Sequence, residues 1–146
     1  MTKIERSALV PYSAEEMFKL VADIGRYPEF LPWCSAARIL EARPEIVVAE
    51  LGIAYAGMDK RFTTENLMRG PEHIEMRLRE GPFRKLEGHW RFAPLGATES
   101  KVSLVLEFEF ANFLASLALG PVFTNIANTL VDSFLRRAQA VYGIRA

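Results

Sequence analysis

Cysteine is nearly absent from this chain of 146 residues, which holds only Cys34. A single thiol excludes an internal disulfide and a metal site built from several thiolates. Cys34 follows Trp33 in an apolar stretch, with no cluster of cations nearby to lower its pKa. We therefore expect a buried and unreactive thiol.

An excess of charge of either sign is also missing, because 18 basic residues face 18 acidic ones. This balance argues against binding nucleic acid through bulk charge, and we expect no direct contact with DNA. A local basic patch on two neighbouring predicted strands is still an alternative, and it would consist of Arg77, Arg79, Arg84 and Lys85. The glutamates interspersed among these residues favour a solvated face of mixed charge.

Long hydrophobic runs are lacking. The segment Met1–Arg6 alternates charged and apolar residues, unlike a signal peptide. The longest largely apolar run, 108–123, is broken by Glu109, Asn112 and Gly120-Pro121. It falls short of the ~20 apolar residues that a membrane-spanning helix needs. We expect a cytoplasmic protein, with any contact to the inner membrane being peripheral.

Motifs that carry catalysis or bind metals are missing as well. There is no phosphate-binding glycine loop, no nucleophile elbow and no metal-ligand spacing. Of the two histidines, His73 starts a predicted strand, and His89 alternates with Gly88 and Trp90, which places it on the solvent face. We expect no catalysed reaction, no catalytic residue, no metal ion and no cofactor.

The chain begins with signals for a strand and a helix. Residues Ile4–Val10 predict a strand. Ser13 and Glu16 have the spacing of a capping box, which predicts a helix that ends at Gly25. The following segment, Arg26–Cys34, is dense in proline and aromatic residues and predicts a helical turn and a loop.

Between Ala37 and Phe110 the hydrophobic period is two. The clearest case is Val102–Phe110, where apolar residues alternate with Glu107 and Glu109. Proline and glycine turns separate about six such runs. The pattern predicts an antiparallel meander with one buried face and one solvated face.

One long helix closes the chain. Pro121 fits its first position, and an apolar stripe runs from Phe123 to Val141, so the helix should end near Tyr142. It is the one predicted element large enough to cover the sheet. We predict a single α+β domain, 1–146, in which a curved antiparallel sheet wraps around this helix.

Large and small apolar residues mix on the predicted inward faces, as in an apolar ligand pocket. A solid, interlocked core is the alternative. Two apolar segments outside the strands, 26–33 and 112–119, predict a rim for such a pocket or a contact with a membrane surface. Alternatively, both pack against the edge of the sheet.

Four segments resemble the coenzyme Q-binding family of START-like proteins. They are Ala8–Phe18, Tyr27–Cys34, Gly81–Phe92 and Phe123–Tyr142. The resemblance covers essentially the whole chain and implies a helix-grip fold with a hydrophobic tunnel between the sheet and the long helix.

The resemblance implies two functions. One is binding of ubiquinone or a related polyprenyl lipid, in support of respiration and as a possible quinone chaperone. The other is that of a toxin in the same family, which binds the large ribosomal subunit and blocks subunit association. For the lipid, we expect a polar head near three residues and an apolar tail along six aromatic ones: Tyr55, Thr64 and Asn66, then Phe30, Trp90, Phe92, Phe110, Phe123 and Phe134.

Overall fold

The computed structural model describes residues 2–55 and 57–145, except the side chain of Met58. Seven strands and two α-helices follow one another, with a 3₁₀ segment at Ile24–Glu29. Their bounds are β1 Thr2–Val10, α1 Ala14–Ala22, β2 Cys34–Ala42, β3 Ile46–Tyr55, β4 Met58–Arg69, β5 His73–Glu80, β6 Phe83–Pro94, β7 Ser100–Phe110 and α2 Phe113–Tyr142.

All seven strands form one curved antiparallel sheet in the order β1-β7-β6-β5-β4-β3-β2. Strands β2 to β7 pair with their neighbours along the chain, and β1 closes onto β7. The predicted meander and the α+β class are therefore confirmed.

Helix α1 begins as its sequence predicts. The Ser13 side chain accepts a hydrogen bond from the backbone N–H of Glu16, and the Glu16 carboxylate accepts one from the backbone N–H of Ser13. This reciprocal bonding satisfies two amides that a helix start would otherwise leave free. The predicted helical turn after α1 is the 3₁₀ segment.

Helix α2 begins earlier than predicted. It starts at Phe113, where the Asn112 side chain accepts a hydrogen bond of 2.8 Å from the backbone N–H of Ala115. Pro121 lies inside the helix rather than at its first position. Because proline lacks an N–H, it leaves the Leu117 carbonyl without its usual helical donor. Pro121 and Leu117 are both exposed, so water can reach this region.

Helix α2 supplies one side of the core. Phe123, Ala127, Phe134 and Ala138 are almost fully buried within the two apolar clusters of the interior. By length and mean hydropathy, which is 1.4 over 18 residues, α2 could also cross a membrane. Only 28% of that window is buried, so packing against the sheet accounts for part of this apolar character.

Candidate functional site

An apolar cavity lies between the sheet and α2. Its volume is about 60 Å³, and its wall includes residues of α1, the 3₁₀ segment, five strands and α2. A cavity of this size admits a few water molecules or a small apolar group. A larger ligand therefore requires the lining side chains to move apart.

Five of the nine predicted ligand residues lie on the cavity wall. They are Thr64, Asn66, Trp90, Phe123 and Phe134. Alternation along β4 and β6 and the helical stripe of α2 had placed all five on inward faces, and the structure brings them together.

The other four residues lie off the wall. Tyr55 ends β3 with 44% of its surface exposed. Phe92 packs on Phe18 and Trp90, and Phe110 stacks on Phe83 with their ring centroids 5.1 Å apart. Phe30 packs on Phe134, which lines the wall, and lies under the guanidinium of Arg137, but it is not itself on the wall. The prediction that these four contact a ligand therefore has no support from the cavity as it stands.

Sequence reasoning missed several lining residues. Trp33, Tyr27 and Ile24 come from the connection between α1 and β2, and Leu51 and Leu130 come from β3 and α2. The last two were on predicted apolar faces and could have been found. Ile24 continues the apolar stripe of the predicted first helix and could also have been found, whereas Tyr27 and Trp33 lie outside any periodic pattern, so their direction depends on tertiary packing alone.

Four lining side chains carry polar atoms, and the hydroxyl of one of them, Tyr27, donates a hydrogen bond to the Val21 carbonyl. The Asn66 amide donates hydrogen bonds of 3.1 Å to the Val47 carbonyl and 3.0 Å to Thr64 Oγ1. Thr64 is thus an acceptor for Asn66, and its own hydroxyl proton stays available. Trp33 is 8% exposed, and within the described residues its buried Nε1 has no hydrogen-bond partner. Thr64 can therefore donate to an acceptor on a ligand, and the Trp33 N–H is buried in a residue of the same wall.

The outer face of the sheet carries mixed charge, as predicted. Arg77 pairs with Glu75 at 2.6 Å, and Lys85 pairs with Glu107 at 3.3 Å. Arg84 lies 3.4 Å from a carboxylate of the same face. The three cations are 39–65% exposed, so solvent weakens their pairs and they stay accessible to a partner, whereas Glu75 is only 13% exposed.

Both histidines lie on this outer face, as the alternation predicted, but they also contact each other. His73 Nε2 lies 3.0 Å from His89 Nδ1, and His89 Nε2 lies 3.2 Å from Glu87 Oε1. The pKa of His73 is lowered by burial and by the charge of Arg91, so its imidazole favours the neutral form. The sequence alone does not reveal this pair, because it depends on the register between β5 and β6.

Cys34 is buried, and burial raises the pKa of its thiol to about 11. The thiol is therefore almost entirely protonated near neutral pH, in agreement with the expected lack of reactivity.

Apolar residues are exposed at the start of α2. Phe113, Leu114 and Leu117 expose 74%, 76% and 61% of their surfaces. This part of 112–119 is helical rather than a loop, and these three residues do not pack against the sheet edge. The contact with a membrane surface stays a prediction.

A family model described as "Polyketide cyclase / dehydrase and lipid transport" matches residues 10–135. The chain belongs to this family. This membership confirms the START-like resemblance.

Two relatives carry different names. The chain is 49% identical over 142 residues to "Ribosome association toxin RatA" of Pseudomonas aeruginosa, covering 97% of this chain and 99% of that protein. It is 28% identical over 141 residues to "Coenzyme Q-binding protein COQ10 homolog B, mitochondrial" of Xenopus laevis, covering 94% of this chain and 58% of that protein.

Among solved structures, the chain is similar to the Zhui aromatase/cyclase from Streptomyces sp. R1128. The TM-score is 0.84 at 20% identity, with 94% of this chain and 93% of that one covered. Likeness at this identity shows the fold alone, because one fold hosts many activities. The expectation that this chain catalyses no reaction stays a prediction.

Proposed function

We propose that this chain associates with the large ribosomal subunit and blocks its joining to the small subunit. The observation that carries the proposal is the 49% identity to the RatA toxin of P. aeruginosa over nearly the full length of both chains. This exceeds the identity to the coenzyme Q-binding relative, which is 28%. Association with ribosomes also supports a cytoplasmic location.

The outer sheet face is the proposed contact surface. Arg77, Arg79 and Arg84 are exposed on β5 and β6, and Lys85 is half-buried beside them. Ribosomal RNA presents phosphates to which arginine binds in a bidentate manner. The neighbouring glutamates keep the net charge of this face low. Binding to RNA therefore relies more on the positions of these cations than on long-range electrostatic attraction.

A joining assay tests the proposal. Purified 30S and 50S subunits are mixed with the protein and separated on a sucrose gradient. We expect the 70S peak to fall as protein is added, and the quadruple variant Arg77→Glu, Arg79→Glu, Arg84→Glu, Lys85→Glu to restore it.

The matched control reverses four other surface cations, Lys19, Arg26, Arg38 and Arg43, each of which also forms an exposed ion pair. It makes the same change in net charge and should act like the wild type. An unchanged 70S peak with folded wild-type protein would contradict the proposal.

A second candidate function, binding of ubiquinone or a related polyprenyl lipid, is favoured by the cavity. The buried N–H of Trp33 costs about 1–3 kcal/mol when it has no partner, and a quinone carbonyl would satisfy it. Thr64 supplies a second donor on the same wall. Because the cavity measures only about 60 Å³, such a ligand must enter by displacing apolar side chains.

Extraction of natively purified protein with organic solvent, followed by mass spectrometry, tests this candidate. A bound isoprenoid quinone is expected, and its amount should fall at least fivefold in Trp33→Phe, which keeps an aromatic side chain, smaller than indole, and removes the N–H. Phe92→Leu changes a buried aromatic residue off the cavity wall and serves as the control. Absence of any isoprenoid from the wild type would overturn the candidate and leave the ribosome proposal untouched.

A further inference from the structure

The outer face holds a group of imidazole and carboxylate side chains that neither proposed function uses. Glu75 and His89 are directly paired across β5 and β6, and His73 and Glu87 occupy the adjacent outward positions. One ligand atom each from Glu75, Glu87 and His89 lies within 4.8 Å of the others. These ligands come from two strands, so no metal-binding spacing is visible in the sequence.

We propose that this group binds one divalent transition-metal ion of the kind that prefers imidazole, with His73 Nε2, His89 Nδ1 and Glu75 Oε1 as ligands. The two nitrogens are 3.0 Å apart, and His89 Nδ1 is 3.9 Å from Glu75 Oε1. Zinc binds imidazole nitrogen at about 2.0–2.1 Å, so two tetrahedral ligands stand about 3.3 Å apart. The two nitrogens reach that separation with a shift of a few tenths of an ångström, His89 Nδ1 and Glu75 Oε1 need about half an ångström, and the His73 ring must turn towards Glu75 as the ion binds.

Glu87 completes the arrangement by orienting His89. Its Oε1 lies 3.2 Å from His89 Nε2 and can accept that hydrogen, which leaves the lone pair of Nδ1 directed at His73. A carboxylate behind a ligating histidine is the usual way in which proteins fix the tautomer at a metal site. Without a metal, His73 Nε2–H donates to His89 Nδ1; a bound ion takes the place of that hydrogen once His73 shifts to the tautomer with its hydrogen on Nδ1.

Burial and neighbouring charges determine how strongly the group can hold a cation. Glu75 has only 13% of its side chain exposed, and its Oε2 makes no geometric hydrogen bond, although Arg77 Nη2 lies 2.6 Å away. Arg69, Arg91 and Lys85 also face the group, opposite the charges of Glu75 and Glu87. These cations oppose the charge of a bound metal ion, so binding requires Glu75 to exchange its ion pair with Arg77 for the metal.

A bound metal ion should link β5 to β6 in addition to their backbone hydrogen bonds. These strands pair in register only from His73 to Arg77 on β5, and the ligands lie at one end of that short ladder. An ion bound to both strands stabilises the folded state because the unfolded chain does not hold the ligands together.

The test uses untagged protein, whose only histidines are His73 and His89. Calorimetry should show one Zn²⁺ per chain, and Co²⁺ should give visible ligand-field absorption. Zinc at a hundredfold excess over Kd should raise Tm by about 5–10 °C. Mg²⁺, which prefers oxygen ligands, should leave Tm unchanged.

Single variants identify the ligands. His73→Gln, His89→Gln and Glu75→Gln should each weaken Zn²⁺ binding at least tenfold, and Glu87→Gln should weaken it about 10–100-fold. Glu107→Gln, on the same face but outside the group, should bind as the wild type does. The apo variants should keep the wild-type Tm, which separates loss of metal binding from loss of folding.

Two results would overturn the proposal: wild-type protein that shows no zinc-dependent rise in Tm, or a His89→Gln variant that binds Zn²⁺ as tightly as the wild type. Neither result bears on ribosome association, because subunit joining is measured without added zinc.

Discussion

At the residue scale, Gly88 shows how tightly the interior is filled beside the cavity. A Cβ atom at this position would lie 2.9 Å from Met76 Cε and 3.0 Å from Leu106 Cδ1. Both neighbours are ends of flexible side chains, so a methyl group can be accommodated by small shifts. A larger side chain has no comparable space.

We therefore predict that Gly88→Ala is nearly neutral and that Gly88→Leu lowers the free energy of unfolding by about 1–3 kcal/mol. Urea unfolding measures both changes. Gly96→Leu is the matched control, because nothing lies within 4 Å of a Cβ atom there. A stable Gly88→Leu variant would mean that this part of the interior is roomier than the structure indicates.

Single residues also explain where sequence reasoning stopped. Alternation placed Thr64, Asn66 and Trp90 on the inward faces correctly. It could not place Trp33, which lies in the aperiodic connection before β2, nor bring His73 beside His89 across two strands. Both depend on strand register and chain path, which a hydrophobic period does not specify.

At the element scale, the start of α1 is tied to the end of the chain. The two oxygens of Glu16 accept hydrogen bonds of 2.8 and 3.0 Å from Arg145, and the backbone N–H of Ser13 donates a third at 2.9 Å. Together these bonds, Arg145 foremost, hold the pKa of Glu16 down at about 2. The folded state therefore favours the ionised carboxylate.

Because the folded pKa lies below the unfolded value of about 4.3, the stabilisation is complete above about pH 5 and is lost as the pH falls towards 2. We predict that Glu16→Gln destabilises the protein by about 1 kcal/mol or less at pH 7 and that this difference shrinks in acid.

Chemical unfolding between pH 2 and pH 7 measures the change. Glu15→Gln is the control, since Glu15 forms only an exposed pair with Lys19. A difference between wild type and Glu16→Gln that stays constant with pH would rule out this role for the carboxylate.

The predicted start of helix α2 was wrong. Pro121 was taken as the first helical residue because proline is common there, but Asn112 is the cap and the helix extends two turns earlier. The additional turns present Phe113, Leu114 and Leu117 to solvent. A contact with a membrane surface would use these three side chains.

We predict that the triple variant Phe113→Gln, Leu114→Gln, Leu117→Gln keeps the stability of the wild type, since all three residues are exposed and glutamine has good helix propensity. It should lose flotation with phosphatidylethanolamine–phosphatidylglycerol vesicles. Leu9→Gln, Leu95→Gln, Ile144→Gln removes three other exposed apolar residues as a control. Wild-type protein that fails to float would contradict the membrane contact.

At the scale of the whole molecule, the order of elements could be predicted because each has a strong local signal. The capping box of α1, the period of two along β2 to β7 and the stripe of α2 all agree with the observed sheet and helix. Cavity size could not be predicted, because it depends on how side chains interlock across the interior. The same fold serves relatives with different names, so function rests on whole-chain similarity and on surface chemistry.

The central claim is association with the large ribosomal subunit, and co-sedimentation tests it most directly. Purified protein is centrifuged through a sucrose cushion with isolated 50S or 30S subunits at physiological salt, and the pellets are analysed for the protein. We predict about one copy per 50S subunit, little with 30S, and loss of binding in the Arg77, Arg79, Arg84 and Lys85 charge-reversal variant. Protein that stays in the supernatant with both subunits would contradict the account.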